Sequence, residues 1–401
     1  MNDALRVLVI GGSLGGLSAA LYLRSKGCMV EIVERAKKSP EGKGAGIVAH
    51  PAIFRYLQHG DLQIINQISV RARWIRYLDR DGSVVHEEPC HYRLSSYDAL
   101  HRSLSAYLAG SPVKFGEEMI DLESHEEGAK AHFAGGYSKA CDLLVCSDGI
   151  HSTARQLLLP ELGFQYAGYV GWRGTISEAE LGSQFFAALS ASITYCLMPN
   201  GHILAYPIPS NEGTSESGRS LINWVWYRNV AKGNRLNDLM TDREGKRQSI
   251  SLPPGGVQQR HIRDLQESAN AELPPLLAKM VIQSHEPFVQ AIVDMDVPRM
   301  VFGRICLMGD AAFVARPHTA AGTAKAADDA WNLAEAVGAS TRGLRGALTS
   351  WERGQLALGR NLTARAREAG NRLQFKAGMQ AGDPLPLGLK QQGDGQFTMG
   401  D

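Results

Sequence analysis

Glycines and an acidic residue that could hold a phosphorylated ligand stand around the first predicted strand. Gly11, Ser13 and Gly16 follow the apolar run 7–10, and Glu34 ends the next apolar run. Small residues at this spacing let the backbone approach a diphosphate and leave the first amides of a helix facing it. An acidic residue after the second strand is placed to bind a ribose hydroxyl. The chemistry that this stretch predicts is therefore dinucleotide binding.

A strand–turn–helix–strand unit is needed to position these groups. Residues 7–10 are consecutive and apolar, which is typical of a parallel strand buried on both faces. A helix then runs to Gly27, and residues 30–33 form the second strand. Ser13 replaces the middle glycine of the usual G-x-G-x-x-G pattern, although its hydroxyl could itself donate to a phosphate. The alternative is a tight turn that binds nothing.

Two further turns follow buried strands far along the chain. Asp148-Gly149 come after the apolar run 143–146, and Gly309-Asp310 come after the run 305–308. Each dipeptide alone is more often an ordinary turn. At the carboxyl ends of parallel strands, however, such turns face the crevice in which α/β sheets bind ligands. The three turns therefore predict one shared site.

Size and composition exclude several classes of function. The 401 residues suffice for two modest domains or one large interrupted domain, and 44% apolar with 21% charged residues is typical of globular proteins. A net charge of +1 without a basic run argues against a nucleic-acid partner. Apolar runs stay short of the roughly 18 residues of a membrane span, and the first strand leaves no room for a signal peptide. Six cysteines without paired CxxC spacing favour a reducing cytoplasm, and the histidines lack partners at metal-ligand spacing.

The pattern becomes antiparallel in the middle of the chain. A hairpin is predicted around the Asp81-Gly82 turn, and aromatic-rich strands follow later. The predicted strands of this region are 74–78, 84–87, 169–176, 192–198, 202–208 and 221–228. Helices are predicted at 51–59, 97–108, 236–248, 270–282, 319–337 and 344–375, and a hydrophilic loop at 210–219.

The three turns together resemble those of the single-component flavin-dependent aromatic hydroxylases, the family typified by para-hydroxybenzoate hydroxylase. The resemblance covers residues 5–380 in element order. It implies an α/β fold in which a Rossmann-like FAD-binding domain with a parallel sheet is interrupted by a mainly antiparallel β-sheet substrate domain and completed by C-terminal helices. The implied division is 1–73, 96–165 and 285–380 for the FAD-binding domain, 74–95 and 166–284 for the substrate domain, and 381–401 for an irregular tail.

The resemblance implies FAD as the cofactor, with NADH or NADPH as the electron donor. The first turn would hold the ADP half of FAD, Asp148-Gly149 would lie near the diphosphate, and Asp310 would bind the ribityl chain with Pro317 near the flavin ring. The residues expected to bind the cofactor are Gly11, Ser13, Leu14, Gly16, Glu34, Arg35, Ser96, Asp148, Gly149, Gly309, Asp310, Pro317, Gly322, Thr323 and Ala324.

Three positions depart from the family pattern. Ser96 stands where the family commonly has an arginine that pairs with the diphosphate, so Arg93 could reach the same phosphate or the serine hydroxyl could suffice. Phe313 replaces a usual histidine, and the helix start at 321–325 differs from the usual sequence. Backbone amides of that helix start could still face the pyrimidine edge of the flavin.

The reaction implied is hydroxylation of a small electron-rich aromatic or N-heteroaromatic ring with O2, through a flavin C4a-hydroperoxide. Trp172-Arg173-Gly174 and Arg316-Pro317-His318 are among the details that favour a hydroxypyridine, such as 2,6-dihydroxypyridine. A ring hydroxyl needs a base or a hydrogen-bond chain, for which His318, His50 and Tyr206 are candidates. Each of the three could instead be a structural residue. The resemblance is also compatible with a homodimer.

Other interpretations of the three turns stay open. A phenol or salicylate-type hydroxylase shares them, as do an epoxidase and a prenyl-chain reductase, which would favour a lipidic pocket and a membrane-facing tail. A halogenase is disfavoured because Tyr227-Arg228, rather than Ile-Pro, follow Trp224-Val225-Trp226. A nicotinamide-only dehydrogenase has no need of Gly309-Asp310. A non-catalytic nucleotide-binding module is the remaining alternative.

Overall fold

The fold is that of a computed structural model, which describes residues 4–39, 46–57, 61–108, 110, 113–210, 220–339, 343–376 and 378–390. Its α-helices are Leu14–Ser25, Leu62–Ile68, Tyr97–Tyr107, Thr153–Leu158, Glu178–Leu181, Ser183–Leu189, Asn234–Leu239, Gln259–Glu272, Pro275–Gln283, Gly322–Gly338 and Gly343–Gln374. Short 3-10 turns are Pro51–Phe54, Gly309–Ala311 and Pro317–Thr319. The predicted loop 210–219 lies outside the described residues from position 211 onward.

A six-stranded sheet brings the three predicted turns to one edge. Its order is Val301–Phe302, Ile305–Leu307, Leu143–Cys146, Arg6–Ile10, Met29–Glu34 and Lys114–Phe115. All neighbours are parallel except the first pair. The strands that precede the three turns are therefore adjacent, and their carboxyl ends point the same way. Residues 7–10 and 143–146 are buried, as their uninterrupted apolar character predicts.

A nine-stranded, mainly antiparallel sheet forms the second layer. Its order is Ser251–Leu252, Phe288–Asp296, Gln165–Ser177, Ser220–Asn229, Gly201–Pro209, Ser192–Met198, Trp74–Leu78 and Val84–Pro89, with Phe313–Val314 beside Phe288–Asp296. One pairing, Ser192–Met198 with Trp74–Leu78, is parallel. Trp224 and Trp226 are buried in the core on one face of this sheet. Two three-stranded sheets complete the fold, Ser138–Cys141 with Ala129–Phe133 and Met119–Ser124, and Gly46–Val48 with Arg93–Ser96 and Val70–Arg71.

The C-terminal helices join the two large sheets. Gly322–Gly338 packs against Leu14–Ser25 beside the parallel sheet. Gly343–Gln374 packs against Gly322–Gly338 and also contacts strands Phe288–Asp296 and Gly201–Pro209 of the nine-stranded sheet. The expected fold class, a parallel Rossmann-like sheet with an antiparallel sheet inserted and helices at the end, is confirmed. Helices within the described ranges lack the combined length and apolar character that a bilayer crossing requires.

Three predicted helices were wrong in extent. The helix predicted at 236–248 ends at Leu239, because the chain then folds back to pair Thr241 with Arg247. The helix predicted at 270–282 is divided between two helices. The first, Gln259–Glu272, begins well before the predicted start, and the second, Pro275–Gln283, begins at a proline. The helix predicted at 51–59 is only a 3-10 turn in the described residues.

Candidate active site

The three turns line one elongated cleft. A cavity of about 430 Å³ takes part of its wall from each turn, and an adjoining cavity of about 130 Å³ shares Ser13 and Gly149 with it. Predicted cofactor residues in the larger cavity are Ser13, Leu14, Gly149, Gly309, Asp310, Pro317, Gly322 and Thr323. Those in the smaller cavity are Gly11, Ser13, Glu34, Arg35, Asp148 and Gly149. The fold therefore brings together twelve of the fifteen predicted cofactor residues.

Glycine is required where the first turn packs against the second. Gly11 has a φ of 106°, and a Cβ there would overlap the carbonyl oxygen of Ser147. The Glu34 carboxylate lies at the outer end of the same turn and accepts hydrogen bonds from the Gly12 amide at 2.8 Å and the Ala36 amide at 2.9 Å. These two bonds hold the carboxylate beside the smaller cavity, where it can bind a polar hydroxyl group.

Two helix N-termini face the cleft. In the described structure, neither Ser13, which precedes Leu14–Ser25, nor Ala321, which precedes Gly322–Gly338, caps its helix with a side-chain hydrogen bond. The Ser13 hydroxyl instead lies 2.9 Å from the Tyr97 hydroxyl. Unpaired first-turn amides and the helix dipole favour negative charge at both places. Together with the Glu34 carboxylate, these donors fit a long anionic dinucleotide such as FAD.

Arg155 joins the second turn to the third. Its Nη1 donates to the carbonyl oxygens of Asp310 and Ala311, both at 3.2 Å, and its Nη2 donates to that of Ile150 at 2.5 Å. The Asp148 carboxylate accepts from the Ser152 hydroxyl at 2.6 Å, so it fixes the start of the helix that carries Arg155. The two turns are thus held in one arrangement by protein groups.

The carboxyl group of Asp310 stands in the cavity wall. Desolvation by the surrounding protein raises its pKa to about 6, an effect that the positive charge of Arg155 opposes. The backbone of the same turn is held from behind, because the Gly309 amide donates to the Asp329 carboxylate at 3.0 Å and Asp329 is paired with the buried Lys325. The turn is therefore rigid while its one carboxyl group faces the cleft.

An aromatic chamber forms the other end of the large cavity. Its walls are Tyr195, His202, Tyr206, Tyr227 and His318. His202 stacks on Tyr227 with ring centroids 4.6 Å apart, and His318 lies 5.3 Å from His202. Burial lowers the pKa of His202 to about 3 and that of His318 well below its ordinary value. Both imidazoles are therefore neutral near pH 7 and able to accept a hydrogen bond.

Residues 378–390, here named the cover segment, contribute to the wall of the cavity at the chamber. Leu385, Pro386 and Leu387 line the cavity. The segment is tied down by Arg365, which donates to the carbonyl oxygens of Pro386, Gly388 and Leu389, and by the Gly388 amide, which donates to Thr319 at 2.8 Å. The cover segment therefore forms one wall of the cavity.

Four predicted site residues line neither cavity. Gly16 and Ala324 are buried within their helices. Ser96 accepts a hydrogen bond from the Ala99 amide at 3.2 Å and so caps the helix Tyr97–Tyr107. His50 is buried with Nε2 3.1 Å from the carbonyl oxygen of Ala320.

Arg93, the alternative diphosphate ligand, also lies outside both cavities. It is buried and donates to the Ser69 hydroxyl at 3.1 Å and to the Asn66 side chain at 2.9 Å. The structure therefore gives the missing family arginine no replacement at this position.

Sequence reasoning missed several residues of the chamber. Arg173, His202 and Tyr227 come from strands of the nine-stranded sheet, and residues 385–387 come from the cover segment. The Trp172-Arg173-Gly174 motif was the available signal for Arg173. The other residues lie in apolar or irregular stretches that carry no comparable pattern.

Comparisons with known proteins agree with this geometry. Family profiles described as FAD binding domain-like and FAD binding domain match residues 166–294 and 260–366. The 2,6-dihydroxypyridine 3-monooxygenase of Paenarthrobacter nicotinovorans is 35% identical over 382 residues, which cover 94% of each chain. The solved structure of 2,6-dihydroxypyridine-3-hydroxylase from Arthrobacter nicotinovorans matches with a TM-score of 0.88 at 34% identity, covering 95% of this chain and 96% of that one. The FAD-dependent urate hydroxylase of Klebsiella pneumoniae is 27% identical over 388 residues, covering 91% of this chain and 89% of the relative.

Proposed function

This chain belongs to the FAD-dependent monooxygenases that hydroxylate aromatic rings, and we propose that its substrate is a hydroxypyridine such as 2,6-dihydroxypyridine. NADH or NADPH serves as the electron donor and O2 as the oxygen source. The observation that carries the proposal is the single cleft, which runs from the three turns into a chamber walled by aromatic side chains. Identity of 35% to a relative named for 2,6-dihydroxypyridine supports the choice of ring.

FAD, when bound, supplies the redox chemistry that activates O2. The chain's part is to hold it: Glu34 binds the ribose, the amides at the start of Leu14–Ser25 bind the diphosphate, and Asp310 binds the ribityl chain. Pro317 and the first amides of the helix Gly322–Gly338 would face the flavin ring. We assign residues 1–73, 96–165 and 285–380 to FAD binding, 74–95 and 166–284 to the substrate, and 381–401 to a tail whose described part covers the chamber.

Within the chamber, the chain orients the ring and controls its proton. Tyr206 and Tyr227 pack against a planar substrate, and residues 385–387 keep water out. His318 accepts a hydrogen bond from a ring hydroxyl at Nδ1, because its Nε2 is 2.7 Å from the Tyr169 hydroxyl and donates to it in that tautomer. His50 contacts the carbonyl oxygen of Ala320 through its Nε2 and so supports the loop that carries His318. The six cysteines, all buried and unpaired in the described structure, favour a cytoplasmic location.

A screen of ring substrates tests the proposal. The flavin-loaded enzyme is mixed with NADH or NADPH and a panel of hydroxypyridines, phenols and salicylate, and both NAD(P)H consumption and product mass are measured. We expect a hydroxypyridine to stimulate NAD(P)H oxidation most and to gain one oxygen atom. A gain of oxygen by phenols or salicylate alone would contradict the assignment of the ring. Asp310→Ala should be purified without flavin, and a fully yellow variant would contradict the role given to Asp310.

A further inference from the structure

One arginine of the chamber wall has no role in the functions described above. Arg173 lies on strand Gln165–Ser177, in register with Val225 on one side and Phe288 on the other. Arg173 and Val225 line the large cavity, whereas the preceding Trp172 lines a separate groove on the opposite face of the sheet. The strand alternation therefore directs the Arg173 side chain toward the substrate end of the cleft.

The charge of Arg173 is uncompensated within the part of the chain that the structure describes. Its guanidinium makes no hydrogen bond or ion pair there, and its Nε is buried without a partner. Arg316, the other arginine of the cavity wall, differs in this respect. It donates to the Asp294 carboxylate at 2.8 and 2.9 Å and to Asn371 at 3.0 Å. Arg316 therefore belongs to a structural ion pair with Asp294, whereas Arg173 carries its charge toward the chamber.

The other titratable groups around the chamber do not neutralise this charge. His202 and His318 are uncharged, and Tyr195, Tyr206 and Tyr227 keep their protons because burial raises the pKa of each hydroxyl. Arg173, Tyr206 and Tyr227 line the same cavity, and the positive charge of Arg173 opposes that rise at both tyrosines. The acidic residue among the described cavity-lining residues is Asp310, which belongs to the cofactor end.

A half-buried guanidinium without an anion is unfavourable, because it has lost water without gaining a partner. An anionic oxygen placed beside it forms a charge-assisted hydrogen bond. The same contact makes a ring more nucleophilic, since it stabilises the ionised form of a ring hydroxyl. A guanidinium at this position would thus bind the substrate and also relieve His318 of the need to act as a strong base.

We propose that Arg173 is a substrate-binding residue that selects rings carrying a negatively charged oxygen over neutral rings of the same shape. The inference rests on the proposed function and narrows its substrate class: the ring is bound as an oxyanion, with the charge against Arg173 rather than against a histidine. The Arg173 guanidinium donates to that oxygen through its terminal nitrogens. Its Nε–H donates to the same anion or to a water molecule that enters with the anion.

Binding of two isosteric probes tests the proposal without turnover. The flavin-loaded enzyme is titrated with benzoate and with benzamide, and binding is followed by the change in the visible absorbance of the flavin. We expect the wild-type enzyme to bind benzoate about tenfold or more tightly than benzamide, as one charge-assisted hydrogen bond requires. Arg173→Gln should abolish this preference by weakening benzoate, with benzamide affinity changed less than about twofold. Arg173→Lys, which keeps the charge, should retain part of it.

Arg228→Gln is the matched control. Arg228 lies on a neighbouring strand of the same sheet and pairs with Glu272 away from the chamber, so its variant should keep the wild-type preference. The proposal is overturned if wild-type enzyme does not prefer benzoate, or if Arg173→Gln retains flavin and preference alike. Should Arg173→Gln fail to fold, the wild-type ratio and Arg173→Lys still decide. If the ring assignment is wrong, the product screen will show it, whereas the benzoate and benzamide affinities test only the role of Arg173.

Discussion

The Tyr169 hydroxyl lies 2.7 Å from Nε2 of His318, and both side chains are buried between the nine-stranded sheet and the last helix. The hydrogen bond fixes the orientation of the imidazole, and with it the nitrogen that is presented to the chamber. We therefore expect Tyr169 to influence the proposed substrate through His318 rather than by contact.

Tyr169→Phe should lower kcat about fivefold, because the loss of one buried neutral hydrogen bond is worth about 1 kcal/mol and frees the imidazole ring. KM and flavin content should change little, since neither depends on that hydroxyl. Steady-state kinetics with the best substrate of the screen measures both constants. An unchanged kcat would show that His318 needs no fixed orientation.

Two glycines of the last helix provide a matched pair of substitutions. A Cβ at Gly370 would overlap the Tyr169 hydroxyl and lie 3.0 Å from Cδ2 of His318, whereas a Cβ at the exposed Gly354 would meet nothing within 4 Å. Gly370→Ala should destabilise the protein by about 1–3 kcal/mol through overpacking. Gly354→Ala should stabilise it by about 0.5–1 kcal/mol through helix propensity. Thermal unfolding distinguishes them, and equal melting temperatures would contradict the packing described around His318.

The neutral histidines predict a loss of stability in acid. Burial lowers the pKa of His202 from 6.5 to about 3, so below pH 6.5 the unfolded chain binds a proton that the folded chain does not. The contribution is fully present above pH 6.5 and is lost as the pH falls, by up to about 1.4 kcal/mol per pH unit for each such histidine. His202→Gln should show a shallower decline in unfolding free energy between pH 6.5 and about 4. Parallel curves for the two proteins would rule out a neutral buried His202.

Asp310 has the opposite pH dependence. Because its pKa is raised from 3.8 to about 6, the folded chain holds a proton that the unfolded chain releases, and this stabilisation disappears as the pH rises through about 6. In protein stripped of flavin, Asp310→Asn should therefore melt slightly higher than wild type above about pH 6, by a small margin because the side chain is exposed to solvent in the cleft, and equally below pH 3.8. The same variant should retain less FAD. Melting curves and the flavin-to-protein absorbance ratio are the measurements, and a variant that is less stable above pH 6 would contradict the sign.

Arg365 controls the cover segment. Arg365→Ala removes hydrogen bonds to the carbonyl oxygens of Pro386, Gly388 and Leu389, so water should enter the chamber more often. We expect at least about a twofold fall in hydroxylated product per NAD(P)H consumed, since exclusion of water prevents side reactions. Arg353→Ala, at an exposed position of the same helix, is the control. A full product yield from Arg365→Ala would mean that the cover segment does not seal the chamber.

The parallel sheet and its three turns could be predicted because their signals are local. Residues 7–10 and 143–146 are apolar without interruption, and that pattern has few structural explanations other than a strand covered on both faces. Gly11, Asp148 and Gly309 lie within two residues of the ends of such strands, so the adjacency of the strands brought them to one cleft.

The chamber could not be predicted in the same way, because its residues are defined by which face of a strand they occupy. Arg173 and Trp172 are neighbours in sequence on opposite faces of a sheet that is covered on both sides, and hydropathy does not separate those faces. For a related reason, sequence spacing did not reveal that Ser96 and Arg93 lie outside both cavities. Their partners, a helix start for Ser96 and Asn66 with Ser69 for Arg93, depend on tertiary contacts that sequence spacing does not encode.

Arg155 donates a hydrogen bond to the backbone carbonyl oxygen of Asp310, which lies 155 positions further along the sequence. Because the guanidinium donates to carbonyl oxygens of the protein itself, this edge of the cleft is held in shape without a bound ligand. Association with the dinucleotide then loses little loop entropy at this edge. We therefore expect FAD binding to the flavin-free enzyme to follow a single second-order process, without a slow conformational step after the initial binding.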